Sequence, residues 1–192
     1  MGRLSTDRRP RLGTERLRLE PLTTEHTELL VELDSDPEVL RFIFGRALTR
    51  EESLRWAEVR LDPQAGPRGL GTWAGFEGDS FCGWWTLQLD GRDSDTAELG
   101  YRLRRDHWGR GLATEGAVAL LSHGFETVGL ERIWAQTMAV NAPSRDVMTR
   151  IGMTFERTWV GEWNDPLPGW EDGEVEYAIT RPEWRVMRSR QD

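Results

Sequence analysis

The first half of the chain begins with positions that alternate between polar and apolar. This alternation over residues 16–22 predicts a first β-strand. A helical pattern from about Thr24 to Leu33 predicts a short helix, and a second short helix is expected to begin at Asp36-Pro37, where Asp can cap. The segment 49–52, Thr-Arg-Glu-Glu, has the form of a capping box, which predicts the start of a third helix.

The middle of the chain has a strand pattern. Residues 72–76 and 81–87 are rich in aromatic and apolar side chains, and the polar residues between them predict a β-hairpin. A further strand is expected over 97–103. A turn that contains glycine follows it, and then a helix from about Ala113 to Val128.

The last third of the chain contains both strand patterns and a helical pattern. Residues 132–140 predict a strand, and residues 144–151 predict a short helix that ends at Gly152, a favourable C-cap residue. Two last strands are expected near 153–160 and 174–180.

The order of these elements predicts one α+β domain over residues 14–188, with no linker inside it. A polar N-terminal arm, expected to be mobile, precedes this domain over residues 1–13. The length of 192 residues fits one average domain.

Charge narrows the classes of partner. The 33 acidic residues outnumber the 25 basic ones, and the net charge is -8. A protein of this sign repels phosphate backbones, so we expect no nucleic-acid partner. The chain has no lysine, which excludes a mechanism that needs a catalytic lysine.

Metal and membrane sites are not expected either. Cys82 is the only cysteine, and His26, His107 and His123 lie far apart without the spacing of metal ligands. No stretch approaches the roughly 20 apolar residues of a membrane span. We therefore expect a cytoplasmic protein without a membrane partner and without a bound metal.

The segment Trp108–Glu115, Trp-Gly-Arg-Gly-Leu-Ala-Thr-Glu, lies between a predicted strand and a predicted helix. Small residues there allow successive backbone N–H groups to converge, and the helix N-terminus adds partial positive charge, so the turn suits a pyrophosphate. The dinucleotide pattern G-x-G-x-x-G fails at Thr114, and no P-loop pattern is present. From the local sequence alone, a tight turn without a ligand is an equal alternative.

The same segment resembles the acyl-CoA-binding signature of the GCN5-related N-acetyltransferases (GNAT), in the form found in the branch that acetylates ribosomal-protein alanines (RimJ/RimL-like). Residues 14–19, 98–103 and 141–153 resemble further segments of that family, in the same order and at similar spacing. The resemblance implies a mixed, mostly antiparallel sheet of about seven strands, flanked by helices and splayed where the cofactor enters. It also implies transfer of an acetyl group from acetyl-CoA to an amine.

Several roles follow from this resemblance. The turn would hold the pyrophosphate, the backbone N–H of Leu103 would stabilise the charge on the thioester oxygen, and Asn141 would contact the pantetheine arm. The residues implied to contact the acyl-CoA are Leu103, Trp108, Gly109, Arg110, Gly111, Leu112, Ala113, Thr114, Asn141 and Arg145.

Two residues are candidates for the chemistry. Glu98 would be the base that takes the proton of the amine, although a glutamate on a strand can simply face water. Ser144 would protonate the leaving sulfur, although it can equally cap the following helix. Many members of the wider superfamily have a tyrosine acid at the position that is Met148 here, and methionine cannot donate a proton.

The acceptor is less defined than the cofactor. The segment 162–176 carries six acidic residues and no arginine, which would attract a cationic amine, although such a loop can simply be solvated. The chain has ten tryptophans among eighteen aromatic residues, and at most one of the neighbours Trp84 and Trp85 can line a given surface. The candidate acceptor-binding residues are Trp84, Trp85, Glu162, Trp163 and Asp165.

Three acceptor readings are open: protein or peptide N-termini; small amines such as polyamines, amino acids or aminoglycosides; and transfer of another acyl group, such as succinyl. A CoA-binding module with weak catalysis is the main alternative to an enzyme. A phosphate-binding enzyme unrelated to CoA is a more distant one. A homodimer is compatible with the resemblance.

Overall fold

The computed structural model describes residues 9–61, 69–89, 91, 93, 95–161 and 166–190. Eight strands in this part of the chain form one sheet in the order β1-β2-β3-β4-β5-β6-β8-β7. The strands are β1 (Leu12–Gly13), β2 (Leu17–Pro21), β3 (Gly71–Glu77), β4 (Ser80–Leu89), β5 (Thr96–Leu103), β6 (Arg132–Met138), β7 (Thr154–Trp159) and β8 (Glu174–Thr180).

Five α-helices in the same part of the chain flank this sheet. They are α1 (Thr27–Asp34), α2 (Arg50–Leu61), α3 (Leu112–Ser122), α4 (Ala142–Arg150) and α5 (Arg181–Arg188). All strand pairs are antiparallel except β5 with β6, which is parallel. The predicted α+β fold with a mixed, mostly antiparallel sheet is confirmed, with eight strands where about seven were expected.

The alternating strand residues fill one hydrophobic core on each face of the sheet. The larger core contains Trp85, residues of α3 such as Leu120, and Trp184 of α5. The smaller core contains Trp84 together with residues of α1 and α2. The helices therefore divide into an α3 face and an α1–α2 face.

Local signals correctly placed several elements. The predicted hairpin is β3–β4, and the predicted capping box starts α2, since the Thr49 N–H donates to Glu52 Oε2 at 2.8 Å. The helix predicted to end at Val128 is α-helical only to Ser122, and continues as a π-helical segment to Val128.

The structure differs from the sequence-based prediction in two elements. The segment after Asp36 forms consecutive turns and no helix. Helix α5 was not predicted, although Thr180 and Glu183 form a capping box at its start. The last residues of the predicted N-terminal arm contact the sheet, since β1 pairs with β2 and Arg9 donates to the carbonyl oxygen of Thr72 at 2.7 Å.

Trp85 joins α3 to the sheet. Its side chain is fully buried, and its Nε1–H donates to the carbonyl oxygen of Ala113, in the first turn of α3, at 3.2 Å. A Cβ added at Gly75 of β3 would lie 2.2 Å from this indole, and one added at Gly116 of α3 would lie 2.4 Å from it. The ring therefore occupies the space that two glycines leave between the sheet and the helix.

This contact predicts that Gly116→Ala destabilises the protein. Alanine favours helices, but its Cβ would overlap the fixed ring of Trp85. We expect a loss of about 1–3 kcal/mol in the free energy of unfolding, measured by urea denaturation.

Gly13→Ala is the matched control, because a Cβ there meets nothing within 4 Å. Its effect should stay within about 0.5 kcal/mol. Equal stability of the two variants would contradict the proposed packing of Trp85.

Candidate active site

The sheet splits beside its parallel strand pair. Strands β5 and β6 pair only from Thr96 to Glu98 and from Arg132 to Trp134, and β5 then continues without this neighbour. A cleft of about 390 Å³ lies at the split. It is lined by Glu38, Val39, Phe42, Ile43, Tyr101, Arg102, Leu103, His107, Trp108, Gly109, Gly111, Leu112, Ala113, Thr114, Asn141, Pro143, Ser144, Asp146, Val147 and Arg150.

The glycine turn forms one end of this cleft. Gly109 and Gly111 have φ angles of +68° and +79°, which is the left-handed region that glycine adopts without strain. Gly111 is the N-cap of α3 and supplies no side-chain cap, so the first backbone N–H groups of the helix have no side-chain acceptor from that residue. The turn is thus built for an anionic group.

The loop between β1 and β2 holds this turn. Glu115 of α3 accepts hydrogen bonds from the Thr14 hydroxyl at 2.5 Å and from Arg16 Nε at 2.7 Å. Burial alone would raise the pKa of Glu115, but the hydrogen bonds from Thr14 and Arg16 lower it below its usual range. Arg16 also donates to the carbonyl oxygen of Arg110. The backbone of the turn is therefore fixed before any ligand binds.

Leu103 presents a backbone donor to the split. The Arg104 N–H donates to Cys82 on the β4 side, and strand alternation therefore turns the Leu103 N–H to the opposite edge. The indole N–H of Trp108 donates to the Leu103 carbonyl oxygen at 2.9 Å, which holds the backbone on the C-terminal side of Leu103. This geometry suits stabilisation of a developing oxyanion.

Ser144 faces Tyr101 across the cleft. The Tyr101 hydroxyl lies 3.1 Å from both the Oγ and the carbonyl oxygen of Ser144. Burial raises the pKa of Tyr101 to about 12, so its hydroxyl is protonated at neutral pH. Tyr101 was not predicted as a site residue, since its only signal was its position on the strand that ends at Leu103.

Asn141 caps α4. Its side-chain oxygen accepts from the Ser144 N–H at 3.4 Å, and its side-chain nitrogen donates to Thr137 Oγ1 at 2.9 Å. The capping role that was an alternative for Ser144 thus belongs to Asn141, and the Ser144 hydroxyl is left for the cleft. Met148 is buried in the core and cannot replace the superfamily's tyrosine.

Two predicted cofactor contacts are not directed to the cleft. Arg145 donates to the carbonyl oxygen of Ala139 at 3.0 Å and to the Tyr177 hydroxyl at 3.3 Å, which ties α4 to the sheet. The Arg110 side chain binds the carboxylate of Glu77. Arg150 lines the cleft instead.

The predicted acceptor-binding residues that the structure describes do not line the cleft. Trp85 is a core residue, as described above, and Trp84 is buried against α1 and α2 on the other face. Glu162, Trp163 and Asp165 lie outside the described residues. The cleft wall nearest to α1 and α2 comes from the turns after α1, with Phe42 and Ile43, which the sequence did not indicate.

Glu98 does not line the cleft. It lies at the last pair before the split, three positions before Tyr101, which is roughly 10 Å along the strand. Strand alternation places it on the opposite face from Tyr101, and its Oε1 accepts from Gln136 Nε2 at 3.4 Å. Direct proton transfer between Glu98 and an amine beside Leu103 is therefore not possible in this geometry.

Metal-binding groups and membrane-spanning helices are both absent from the described residues. These residues contain no group of three or more His, Cys, Asp or Glu side chains that could hold a metal ion. They also contain no helix that is long and apolar enough to cross a membrane.

Comparison with known proteins agrees with this geometry. Residues 16–154 match the family model described as an acetyltransferase (GNAT) domain. The chain is 38% identical over 187 residues to the FsC-acetyl coenzyme A-N(2)-transacetylase of Aspergillus fumigatus, covering 93% of this chain and 80% of that protein.

Two solved structures share the fold. The spermidine N-acetyltransferase of Vibrio cholerae, in complex with CoA and spermine, superposes with a TM-score of 0.75 at 15% identity, covering 90% of this chain and 99% of that one. RimL, a ribosomal alpha-N-protein acetyltransferase in complex with coenzyme A, superposes with a TM-score of 0.73 at 18% identity, covering 87% and 95%. The chain therefore belongs to the GNAT family and is an acetyl-CoA-dependent N-acetyltransferase.

Proposed function

We propose that this protein acetylates the primary amine of a small molecule, in the cleft at the split between β5 and β6. The observation that carries this proposal is that the Leu103 N–H and the Ser144–Tyr101 pair share one cleft with the glycine turn. Acetyl-CoA supplies an activated thioester carbonyl when it is bound there. The amine nitrogen forms the new C–N bond, the C–S bond breaks, and the sulfur takes a proton.

The turn and α3 hold the phosphate end of the cofactor. The backbone N–H groups after Gly111 and the partial positive charge of the helix N-terminus bind the pyrophosphate. Arg150, at the last turn of α4, supplies a mobile cation at the rim of the cleft. Trp108, which is 46% exposed, offers an apolar surface beside them.

Two groups act directly on the reacting atoms. The Leu103 N–H donates to the carbonyl oxygen as charge develops on it. Ser144 gives its proton to the leaving sulfur, the hydroxyl of Tyr101 at 3.1 Å orients Ser144, and a proton from water returns to Ser144 before the next turnover. The amine must lose a proton, and we assign Glu98 as the final acceptor through water, because the side chain cannot reach the amine itself.

A small-molecule acceptor is favoured over a protein N-terminus. The relative at 38% identity is named for acetylation of FsC at N(2), and it covers nearly the whole chain. The RimL structure, at 18% identity, supports the fold alone. The alternative acceptor is a protein N-terminus, as the resemblance to the RimJ/RimL-like branch implies. An acceptor screen would test it against small amines.

The turn predicts a selective effect of Gly111→Ala on cofactor binding. A Cβ at a φ of +79° forces the backbone to shift, which moves the N–H groups that face the pyrophosphate. We expect the Kd for CoA, measured by calorimetry, to rise about tenfold, equivalent to about 1.4 kcal/mol.

Gly129→Ala is the control for this variant. Gly129 has a φ of +84° and an arginine nitrogen 3.5 Å from the added Cβ, as at Gly111, but it lies beyond the π-helical segment that follows α3. Both variants should lose similar stability, and only Gly111→Ala should bind CoA more weakly. Equal Kd values would remove the turn from the binding site.

The Ser144–Tyr101 pair predicts a loss of rate without a loss of fold. Ser144→Ala keeps the backbone N–H that Asn141 caps, so stability should change by less than about 0.5 kcal/mol. We expect kcat to fall about 100-fold with an unchanged Kd for CoA, because only the proton donor is lost. Tyr101→Phe should give a smaller fall, and an unchanged kcat in both variants would show that water protonates the sulfur.

The proposed proton transfer through water to Glu98 predicts that Glu98→Gln alters the pH profile of kcat/KM. Glutamine cannot take the proton, so kcat/KM at neutral pH should fall about tenfold and the acidic limb of the profile should flatten. Gln136→Leu, which removes the neighbour that donates to Glu98, is the companion variant and should keep the acidic limb. An unchanged limb in Glu98→Gln would exclude Glu98 as the base.

A further inference from the structure

A cluster of polar side chains is buried between the sheet and helices α1 and α2. Arg102 of β5 donates to Asp34 at the end of α1, with 2.5 Å between Nη1 and Oδ1, and the Ser53 hydroxyl of α2 donates to Asp34 Oδ2 at 3.0 Å. Trp84 of β4 is stacked by Arg60 and by Arg102, whose guanidinium carbons lie 4.7 Å and 5.1 Å from its ring centroid. These five residues are named the Arg60–Arg102 cluster below.

The charges of the cluster do not balance. It contains two guanidinium groups and the single carboxylate of Asp34, and the side chains of Arg102 and Asp34 are 6% and 1% exposed. Burial and the neighbouring Arg102 lower the pKa of Arg60 to about 10, so Arg60 remains protonated at neutral pH. Among the described residues, the cluster therefore keeps one buried positive charge without a carboxylate of its own, which costs free energy.

Three donors of the cluster are also unpaired. Arg102 Nε, Arg60 Nη1 and Trp84 Nε1 are buried and have no hydrogen-bond partner in the part of the chain that the structure describes. A buried donor without an acceptor is unfavourable. Unpaired buried donors beside an excess positive charge favour a bound anion with acceptor oxygens.

The cluster adjoins the reaction site. Arg102 lies between Tyr101 and Leu103, and all three residues line the cleft. Strand alternation turns the Arg102 side chain to the α1–α2 face, whereas the Leu103 N–H lies in the plane of the sheet at the split. An acceptor that enters from the α1–α2 face can therefore place one group at Arg102 and its amine beside Leu103. The turns after α1, with Phe42 and Ile43, complete this side of the cleft.

We propose that the Arg60–Arg102 cluster binds a carboxylate of the acceptor, so that the acceptor is an amino acid or an amino-acid derivative with a free carboxylate. This inference rests on the proposed function, since it places the acceptor at the same cleft. A carboxylate site would favour amino acids as acceptors over polyamines, which carry no carboxylate. The acidic surface of the chain then attracts the amine, and the cluster selects its anionic end.

The binding step can be tested without knowledge of the acceptor. The side-chain N–H resonances of the ten tryptophans are followed by NMR while acetate is titrated into the CoA-bound protein, with chloride at equal ionic strength as control. Trp84→Phe identifies the Trp84 resonance by its loss and keeps the aromatic ring. We expect a saturable shift of the Trp84 resonance with acetate only.

Two controls make this titration specific. Trp134 on β6 also carries a buried, unpaired Nε1–H in the described part of the chain, but it has no guanidinium stacked on it there, so its resonance should not shift. Arg60→Gln removes the excess charge and leaves the Arg102–Asp34 pair intact, so it should abolish the acetate effect. Absence of a saturable Trp84 shift in the wild type, or its persistence in Arg60→Gln, would overturn the proposal.

Activity provides the second test. Acetyl transfer from acetyl-CoA is measured for matched sets of amines, such as L-lysine, its methyl ester and 1,5-diaminopentane, and the equivalent sets built on other amino acids. We expect kcat/KM at least tenfold higher for the carboxylate in each set that reacts, and a ratio near one in Arg60→Gln. A ratio near one in the wild type would overturn the proposal.

The two proposals fail in different ways. If no amine is acetylated although CoA binds, the proposed small-amine acetylation fails, and the acetate titration alone decides the carboxylate site. If amines are acetylated without regard to a carboxylate, the acetyltransferase proposal stands and the carboxylate site is rejected.

Discussion

The packing of Trp85 between two glycines is the contact on which the cofactor site depends. The indole fills the space beside Gly75 and Gly116, so neither position has room for a side chain of its own. The indole N–H donates to the carbonyl oxygen of Ala113 and so holds the first turn of α3. This contact fixes the height and direction of α3 on the sheet. The glycine turn ends where α3 begins, so its backbone donors take a fixed place relative to the reacting end of the cleft. The site thus inherits its geometry from a hydrophobic contact in the core.

The second constraint is the interruption of the sheet. Strand β5 loses its parallel neighbour after Glu98, so the backbone groups of Leu103 are not used in a strand ladder. Backbone groups without a neighbouring strand need other hydrogen-bond partners. The Trp108 indole donates to the Leu103 carbonyl oxygen, and the Leu103 N–H stays directed to the cleft. The same interruption exposes Tyr101 to Ser144. An incomplete sheet therefore provides both the space for the cofactor and the donors for the chemistry.

Patterns confined to a few neighbouring residues could be predicted, and side-chain directions set by packing could not. The hairpin, the turn and the capping box at Thr49 depend on local geometry, so their predictions held. Helix α5 was missed although it starts with a capping box and has one apolar face, because it spans only eight residues, Arg181–Arg188. Arg145 was expected at the cofactor, but the way α4 packs turns it to Tyr177 and Ala139. The sign of the net charge likewise gave no hint of a buried cluster with excess positive charge.

The amino-acid sequence by itself determined the type of elements, the glycine turn before a helix and the family resemblance, because each depends on residues close together in the chain. Only the tertiary structure decided which hydroxyl faces the cleft, that Asn141 and not Ser144 caps α4, and that Tyr101 lies beside Ser144. It also brought Asp34, Arg60 and Arg102 together from separate elements. The physical reason is that burial and charge pairing are properties of contacts between distant segments. No local pattern of residues specifies such contacts.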